Sequence, residues 1–283
     1  LKCGYHGSCL AFKRAPHVMG NVSTQCVGCC LVEPVPSGKD SVHLAVQKPS
    51  HARPQWSGET DADSVHIAPR PNFEGCTATY DGEYSGTMKH GRGRLTVWDG
   101  TVYDGQWEGD RRSGKGTQWN SDECVYTGQW RSDLQHGDGT ELWKNGVRYV
   151  GQYSKGVKEG MGTIQWGDGS SYSGSFLNGA LHGQGSYKWR DGRVYDGQWH
   201  QNSIHGFGVH LWPNGMKYKG EYVAHHKHGD GRLEWVDGSS FSGQWKFGKP
   251  DGFGQTISSA GEKNHGKWMS GASINDFAVE LDV

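Results

Sequence analysis

A unit of 23 residues recurs in one register from Tyr80 to Trp268, and this period constrains the fold more than any other feature of the chain. Tyr80, Tyr103, Tyr126, Tyr149, Tyr172, Tyr195, Tyr218 and Phe241 stand at that constant spacing. Two residues after each comes Gly82, Gly105, Gly128, Gly151, Gly174, Gly197, Gly220 or Gly243. Two further on is an aromatic: Tyr84, Trp107, Trp130, Tyr153, Phe176, Trp199, Tyr222 and Trp245. A ninth, degenerate start reads Asn264, Gly266, Trp268. Each unit then carries a Gly-x-Gly, from Gly91 and Gly93 to Gly252 and Gly254. Self-similarity at such a period signals a solenoid, a propeller or a linear array.

The unit itself says which elements repeat. Tyr-x-Gly-x-Trp has period two, so Tyr103, Gly105 and Trp107 share one face of a strand while Asp104 and Gln106 face the other way. A second strand is expected from the Gly-x-Gly to the next turn, as in Gly162 to Trp166. Most units place Asp-Gly or Asn-Gly there, such as Asp99-Gly100, Asn145-Gly146 and Asn214-Gly215, and Gly supplies the positive φ that a hairpin turn needs. A two-residue turn would put Trp166 and Tyr172 on opposite faces. A three-residue turn with Gly in the left-handed position puts them on one face, and gathers Trp143, Trp166, Trp189, Trp212 and Trp235 with the tyrosine column. The second arrangement is the expected one. The Gly between the aromatics leaves a gap in which a neighbouring ring can lie. The fold class is therefore all-β: an elongated, single-layer antiparallel meander of 23-residue β-hairpins. About 17 strands at about 4.8 Å each give a sheet of roughly 80 Å. Its aromatic stripe is buried only between neighbouring units, and its terminal edges are open. Units two (Asn120, Asp122-Glu123) and eight (Ala260-Gly261) depart from the turn pattern.

Composition narrows the function. The formal charge is −1, and the repeats are close to neutral, so no bulk electrostatic case exists for nucleic acid. No apolar run approaches the roughly 20 residues that span a bilayer. Of seven cysteines, five (Cys3, Cys9, Cys26, Cys29 and Cys30) lie in the first thirty residues, and only Cys76 and Cys124 lie beyond. The repeats therefore have no disulfide framework and suit a reducing cytosol. Four zones follow: a Cys-rich segment at 1–35, a polar, Pro-containing disordered linker at 36–79, the array at 80–268, and an acidic, apolar tail or cap at 269–283.

The unit closely resembles the MORN repeat, roughly Tyr-x-Gly-x-Trp, then Gly-Lys-x-His-Gly-x-Gly, then a Gly-containing turn. The match is clearest at Tyr80–Gly93 and Tyr195–Gly208 and covers about two thirds of the chain. The resemblance implies the fold, and it implies protein interaction more than any one ligand. Such repeats occur in ciliary and radial-spoke proteins, junctophilins, protist budding structures, plant phosphatidylinositol phosphate kinases and some methyltransferases. The catalytic members carry a separate domain, and no segment here is long enough to be one. No nucleophile elbow, phosphate loop or His-Glu-x-x-His is present, so no catalytic residue, cofactor or metal is expected.

Location is written outside the repeats. Met19-Gly20-Asn21-Val22-Ser23-Thr24 fits the N-myristoylation pattern, and Cys26, Cys29 and Cys30 follow where S-acylation is expected. One myristoyl chain binds membranes marginally, and a second acyl chain makes attachment stable. Gly20 must then be the mature N-terminus. Met19 is the first methionine, so residues 1–18 are read as leader. A metal site on Cys26, Cys29 and Cys30 lacks a second ligand pair.

His90, His136, His182, His205 and His228 recur before the Gly-x-Gly, about 10 Å or more apart, too far for two to share a metal. They are expected to pack in turns, and His225-His226-x-His228 is expected to be a solvated loop. Lys89, Arg111, Arg112, Lys158, Lys227 and Lys249 are read as loop cations. The expected function is a non-catalytic scaffold for protein partners, held at a cytoplasmic membrane face by acyl chains. The alternatives are a soluble cytoskeletal or ciliary assembly protein, and a regulatory protein that binds phosphoinositide or another anionic phospholipid. Homodimerisation through an open end is a further expectation.

Overall fold

The computed structural model describes residues 78–274. The acylation motif (Gly20, Cys26, Cys29, Cys30), nearly all of the linker and the tail beyond Ile274 lie outside the described residues. Among the described residues the chain forms eighteen strands and no helix. Each strand pairs antiparallel with the next, so the sheet is one open meander. β1 (Thr79–Ser85) and β2 (Met88–Thr96) make the first unit, and β3 (Val102–Glu108) and β4 (Arg111–Trp119) the second. The pattern continues to β17 (Lys263–Met269) and a two-residue β18 (Ala272–Ser273). This is one strand more than the repeats imply, because the degenerate ninth unit also turns back.

Two kinds of turn alternate. Between units the chain makes the expected three-residue turn. Trp143 N–H donates to Val147 O and Gly146 N–H to Trp143 O, both at 2.9 Å, with Gly146 at φ 83°. A type I turn closed by a left-handed residue gives this pattern. It keeps Trp143, Trp166 and Trp189 on the tyrosine face, each 5–6% exposed. Unit two makes the same turn without glycine: Glu123 takes φ 68°, and Asp122 Oδ1 accepts from Cys124 N–H. Within each unit lies a second, tighter hairpin. In every unit but the first, its two central residues both have positive φ, as at Gly109-Asp110, Ser132-Asp133, Asn178-Gly179 and Gln201-Asn202. That is the mirror-image turn whose twist matches paired strands.

The inner hairpin corrects the expected second strand. That strand does not begin at the Gly-x-Gly but three residues before it: the strand expected from Gly162 runs Val157–Gln165. The Gly-x-Gly lies inside it, at a bulge. In β4, Gln106 pairs with Ser113 and Gly105 with Gly116, so Gly114 and Lys115 are extra. Gly114 takes φ 58° there. The bulged amides are not left unpaired. Gln106 Oε1 accepts from Lys115 N–H at 2.7 Å, and Gln152, Gln198 and Gln244 do the same for Met161, Phe207 and Phe253. Carbonyls freed by the bulge accept from the next inner turn, as Lys158 O does from Gly179 N–H at 2.9 Å.

A ladder of glycines crosses the sheet: Gly82, Gly93, Gly105, Gly116, Gly128 and Gly139 are successive cross-strand neighbours, and the row runs on to Gly266. Each hairpin's pair lies beneath the first aromatic of its own unit, a tyrosine in seven and Phe241 in the eighth, not beneath a neighbour's ring as expected. A Cβ on Gly105 would stand 2.5 Å from Gly116 Cα and 2.6 Å from the Tyr103 hydroxyl. That hydroxyl donates to Gln106 O at 3.0 Å, which pins the ring down.

The rings then interlock between units. Trp107 stands edge-on to Tyr80 at 5.4 Å and to Tyr103 at 5.1 Å, and its Nε1–H donates to Gly93 O at 2.9 Å. The same T-shaped alternation runs on through the array to Phe241 and Trp268, at 4.9 Å. Each such contact contributes about 0.5–1.5 kcal/mol beyond area burial. The core is this one-layer row of rings, so stability is carried between neighbouring units.

Candidate partner-binding face

The ring face carries a column of cations that the sequence had suggested were loop residues. Lys89, Arg112, Lys158 and Lys227 each stand cross-strand from the second aromatic of their unit, as Lys158 does from Tyr153. Period two places them there once the strand starts at the inner turn. Lys89 lies 5.1 Å from the Trp107 ring centre, and Arg112 lies 4.4 Å from that of Trp130. Of the six cations named from sequence, Arg111 and Lys249 remain exposed beside inner turns.

Three of the four have acidic partners. Lys89 Nζ is 3.7 Å from Asp110, and Arg112 Nε is 3.3 Å from Asp133. Lys158 Nζ is 3.0 Å from Glu141 Oε2, with both side chains 3–4% exposed. Tyr153 O–H donates to the same oxygen at 2.8 Å. Burial and that carboxylate together hold the Tyr153 phenol far above its ordinary range. Lys227 differs. Its Nζ lies 4.8–5.4 Å from the ring centres of Trp245, Tyr218 and Trp212, and no described carboxylate pairs with it. Burial alone lowers its pKa to about 8.

His210 shares this neighbourhood. Its ring is stacked between Trp189, at 5.0 Å and 7°, and Trp212, at 4.1 Å and 11°. Burial first, then Arg193 and Lys227, push its pKa down to about 4, so the imidazole is neutral at physiological pH. No repeating-histidine signal could have found it, because it stands outside that column.

The histidine column lies elsewhere. His182 and His205 both contact His200, at 5.1 and 5.9 Å between ring centres. Among the described residues no group of three or more His, Cys, Asp or Glu is arranged to hold a metal ion. His225 is an inner-turn residue at φ 67°, and its Nδ1 accepts from Ile204 N–H at 3.4 Å. Burial, followed by His226, lowers its pKa.

The face is not uniform along its length. The indole row is closed at Trp143, Trp166 and Trp189, is half-buried at Trp212, and opens at Trp235, which is 40% exposed. The reason is the next unit. Tyr187 stands 5.3 Å from Trp166, and His210 covers Trp189, whereas the corresponding residue beyond Trp235 is Thr256. Val236 beside Trp235 is 64% exposed. Sequence reading placed Trp235 in the column but not at its open end.

Comparison with known proteins agrees with the repeat register. The MORN repeat model matches eight segments: 80–97, 103–125, 126–148, 149–171, 172–192, 195–217, 218–240 and 241–263. No curated protein sequence matches the chain. Among solved structures, it is similar to the G-box domain of the microcephaly protein CPAP, at 14% identity and a TM-score of 0.40, over 63% of this chain and 94% of that one. It is similar also to the wild-type TCP10 domain of Danio rerio CPAP, at 12% identity and a TM-score of 0.38, over 67% and 89% of the two chains. The TCP domain of Drosophila melanogaster SAS-4, in complex with a proline-rich motif of Ana2, follows at 8% and 0.37, over 64% and 98%. At these scores the likeness carries no functional argument. The eight matched segments cover over half of the chain and coincide with the hairpin units of the sheet, so the chain belongs to the MORN-repeat family.

Proposed function

We propose that this chain is a non-catalytic scaffold that presents the ring face of its sheet to protein partners and is tethered to a cytoplasmic membrane face by N-terminal acylation. The observation that carries the scaffold reading is the opening of the ring row at Trp212 and Trp235, where apolar surface is exposed beyond the closed indoles Trp143, Trp166 and Trp189. Exposed apolar surface with polar rims is characteristic of interaction sites. The tether rests on Gly20 and Thr24 in the myristoylation pattern with Cys26, Cys29 and Cys30 behind them. A phosphoinositide-binding role has less support, because Lys89, Arg112 and Lys158 are committed to carboxylates on the ring face.

Mass spectrometry of the cellular protein tests the tether. A myristoylated Gly20 is expected, with loss of the membrane fraction in Gly20→Ala; an intact peptide across Val18–Met19 eliminates it. Site-specific photo-crosslinking from Trp235 tests the scaffold. Reproducible protein adducts there, absent from a probe at exposed Lys115 on the opposite face, are expected. Equal yields from both positions would contradict a ring-face partner.

A further inference from the structure

The array contains its own reference for one of its sites. Glu141, Tyr153 and Lys158 recur three units later as His210, Tyr222 and Lys227. In the earlier set, the Tyr153 hydroxyl and the Lys158 ammonium both bind Glu141 Oε2. In the later set the carboxylate is replaced by a neutral imidazole. The buried polar atoms Tyr222 OH and His210 Nε2 then have no hydrogen-bond partner among the described residues. Lys227 sits against three rings with no described carboxylate. A half-buried ammonium without a counter-ion is unfavourable, and a carboxylate supplied from elsewhere relieves it.

We propose that Lys227 binds an acidic side chain of a protein partner whose apolar flanks lie on Trp212 and Trp235. The claim rests on the scaffold reading above and names the chemistry of its partner. Two observations fix that chemistry. The ammonium is the group that pairs with a carboxylate in the Glu141 set, at 3.0 Å between Lys158 Nζ and Glu141 Oε2. The site also lies where the indole row opens, so the acid is presented by a chain with apolar neighbours. An anionic membrane surface is a poorer match, since such surfaces recruit clusters of cations. Here the neighbouring Arg193 is paired with Asp191 at 2.8 Å. Lys227 is therefore a single anchor point.

The test uses the full chain labelled with 5-fluorotryptophan, read by fluorine NMR at Trp212 and Trp235. The probes are a capped heptapeptide with a central glutamate between leucines, and its glutamine counterpart. The glutamate peptide is expected to bind at least ten-fold more tightly. Lys227→Met should abolish that preference. His210→Glu should abolish it too, because it supplies the carboxylate from within as Glu141 does for Lys158. This variant should melt at a higher temperature than wild type, so its loss of binding is not a loss of fold. Equal binding of the two peptides overturns the carboxylate site while leaving a peptide-binding face. Absence of binding by either overturns the site, and leaves the scaffold reading to the crosslinking result. A preference that survives in Lys227→Met overturns it as well. So does a Lys227-dependent response to phosphatidylserine vesicles with none to the peptide.

Discussion

Lys158 and Glu141, 17 positions apart in sequence, form an ion pair of 3.0 Å whose side chains are only 3% and 4% exposed. Breaking one side leaves the other charge buried. Glu141→Gln is expected to destabilise the central units by about 3–5 kcal/mol, and the double change with Lys158→Met by less. Stability here is a sum over neighbouring units, so amide hydrogen exchange around Tyr149 and Tyr172 is the measurement. An equal loss in the single and double variants would contradict it.

The glycine ladder makes a contrasting pair of substitutions informative. Gly116 lies under the Tyr103 ring, and Gly100 lies in an outer turn at φ 89° with no described atom within 4 Å of an added methyl. Gly116→Ala must lift the ring off the sheet and is expected to cost about 3 kcal/mol. Gly100→Ala meets only left-handed strain, about 1 kcal/mol. Chemical denaturation of the two variants distinguishes them.

Gln198 satisfies the Phe207 amide inside a bulge at 2.8 Å. Replacing it with Ala removes one hydrogen bond from a surface site, so the expected loss is about 1 kcal/mol. Exchange of the Phe207 amide should accelerate in Gln198→Ala while that of the Tyr195 amide is unchanged.

The pH dependence of stability has a definite sign at two groups. His210 titrates at about 4 when folded, against an ordinary 6.5. The unfolded chain therefore takes up a proton that the folded chain refuses, and stability falls as pH drops from 6.5 toward 4. The loss approaches about 3 kcal/mol. Lys227, at about 8 when folded against 10.5, binds its proton more weakly in the fold, so stability rises between those values. His210→Gln should flatten the acid limb relative to wild type, and Lys227→Met the alkaline one. Melting temperatures across pH 4 to 11 check both.

Much of this fold was legible before any coordinates. The tyrosine and glycine columns named the strand faces, and the Asp-Gly and Asn-Gly pairs named the outer turn down to its left-handed glycine. The inner turn was harder. Asn178-Gly179 carries a hairpin signal, but Ser132-Asp133, Gln201-Asn202 and Ala224-His225 adopt the same positive φ values without one. Neighbouring hairpins hold those residues there: Asp133 N–H donates to Arg112 O at 3.1 Å, and Asn202 N–H to Leu181 O at 3.0 Å. Missing that turn displaced the start of every second strand, and so assigned Lys89, Arg112, Lys158 and Lys227 to loops.

By itself the sequence determined the period, the all-β class and the face on which each aromatic lies, because these depend on spacing within one strand. Only the tertiary structure decided which tyrosine covers which glycine pair, which cation has an acid and where the ring face opens. Those cross-strand contacts join residues 13 to 21 positions apart through a bulged register, and a two-residue bulge changes every partner beyond it. Glu141 and His210 occupy one column of the repeat. What distinguishes them is the set of rings and charges that pairing brings around each.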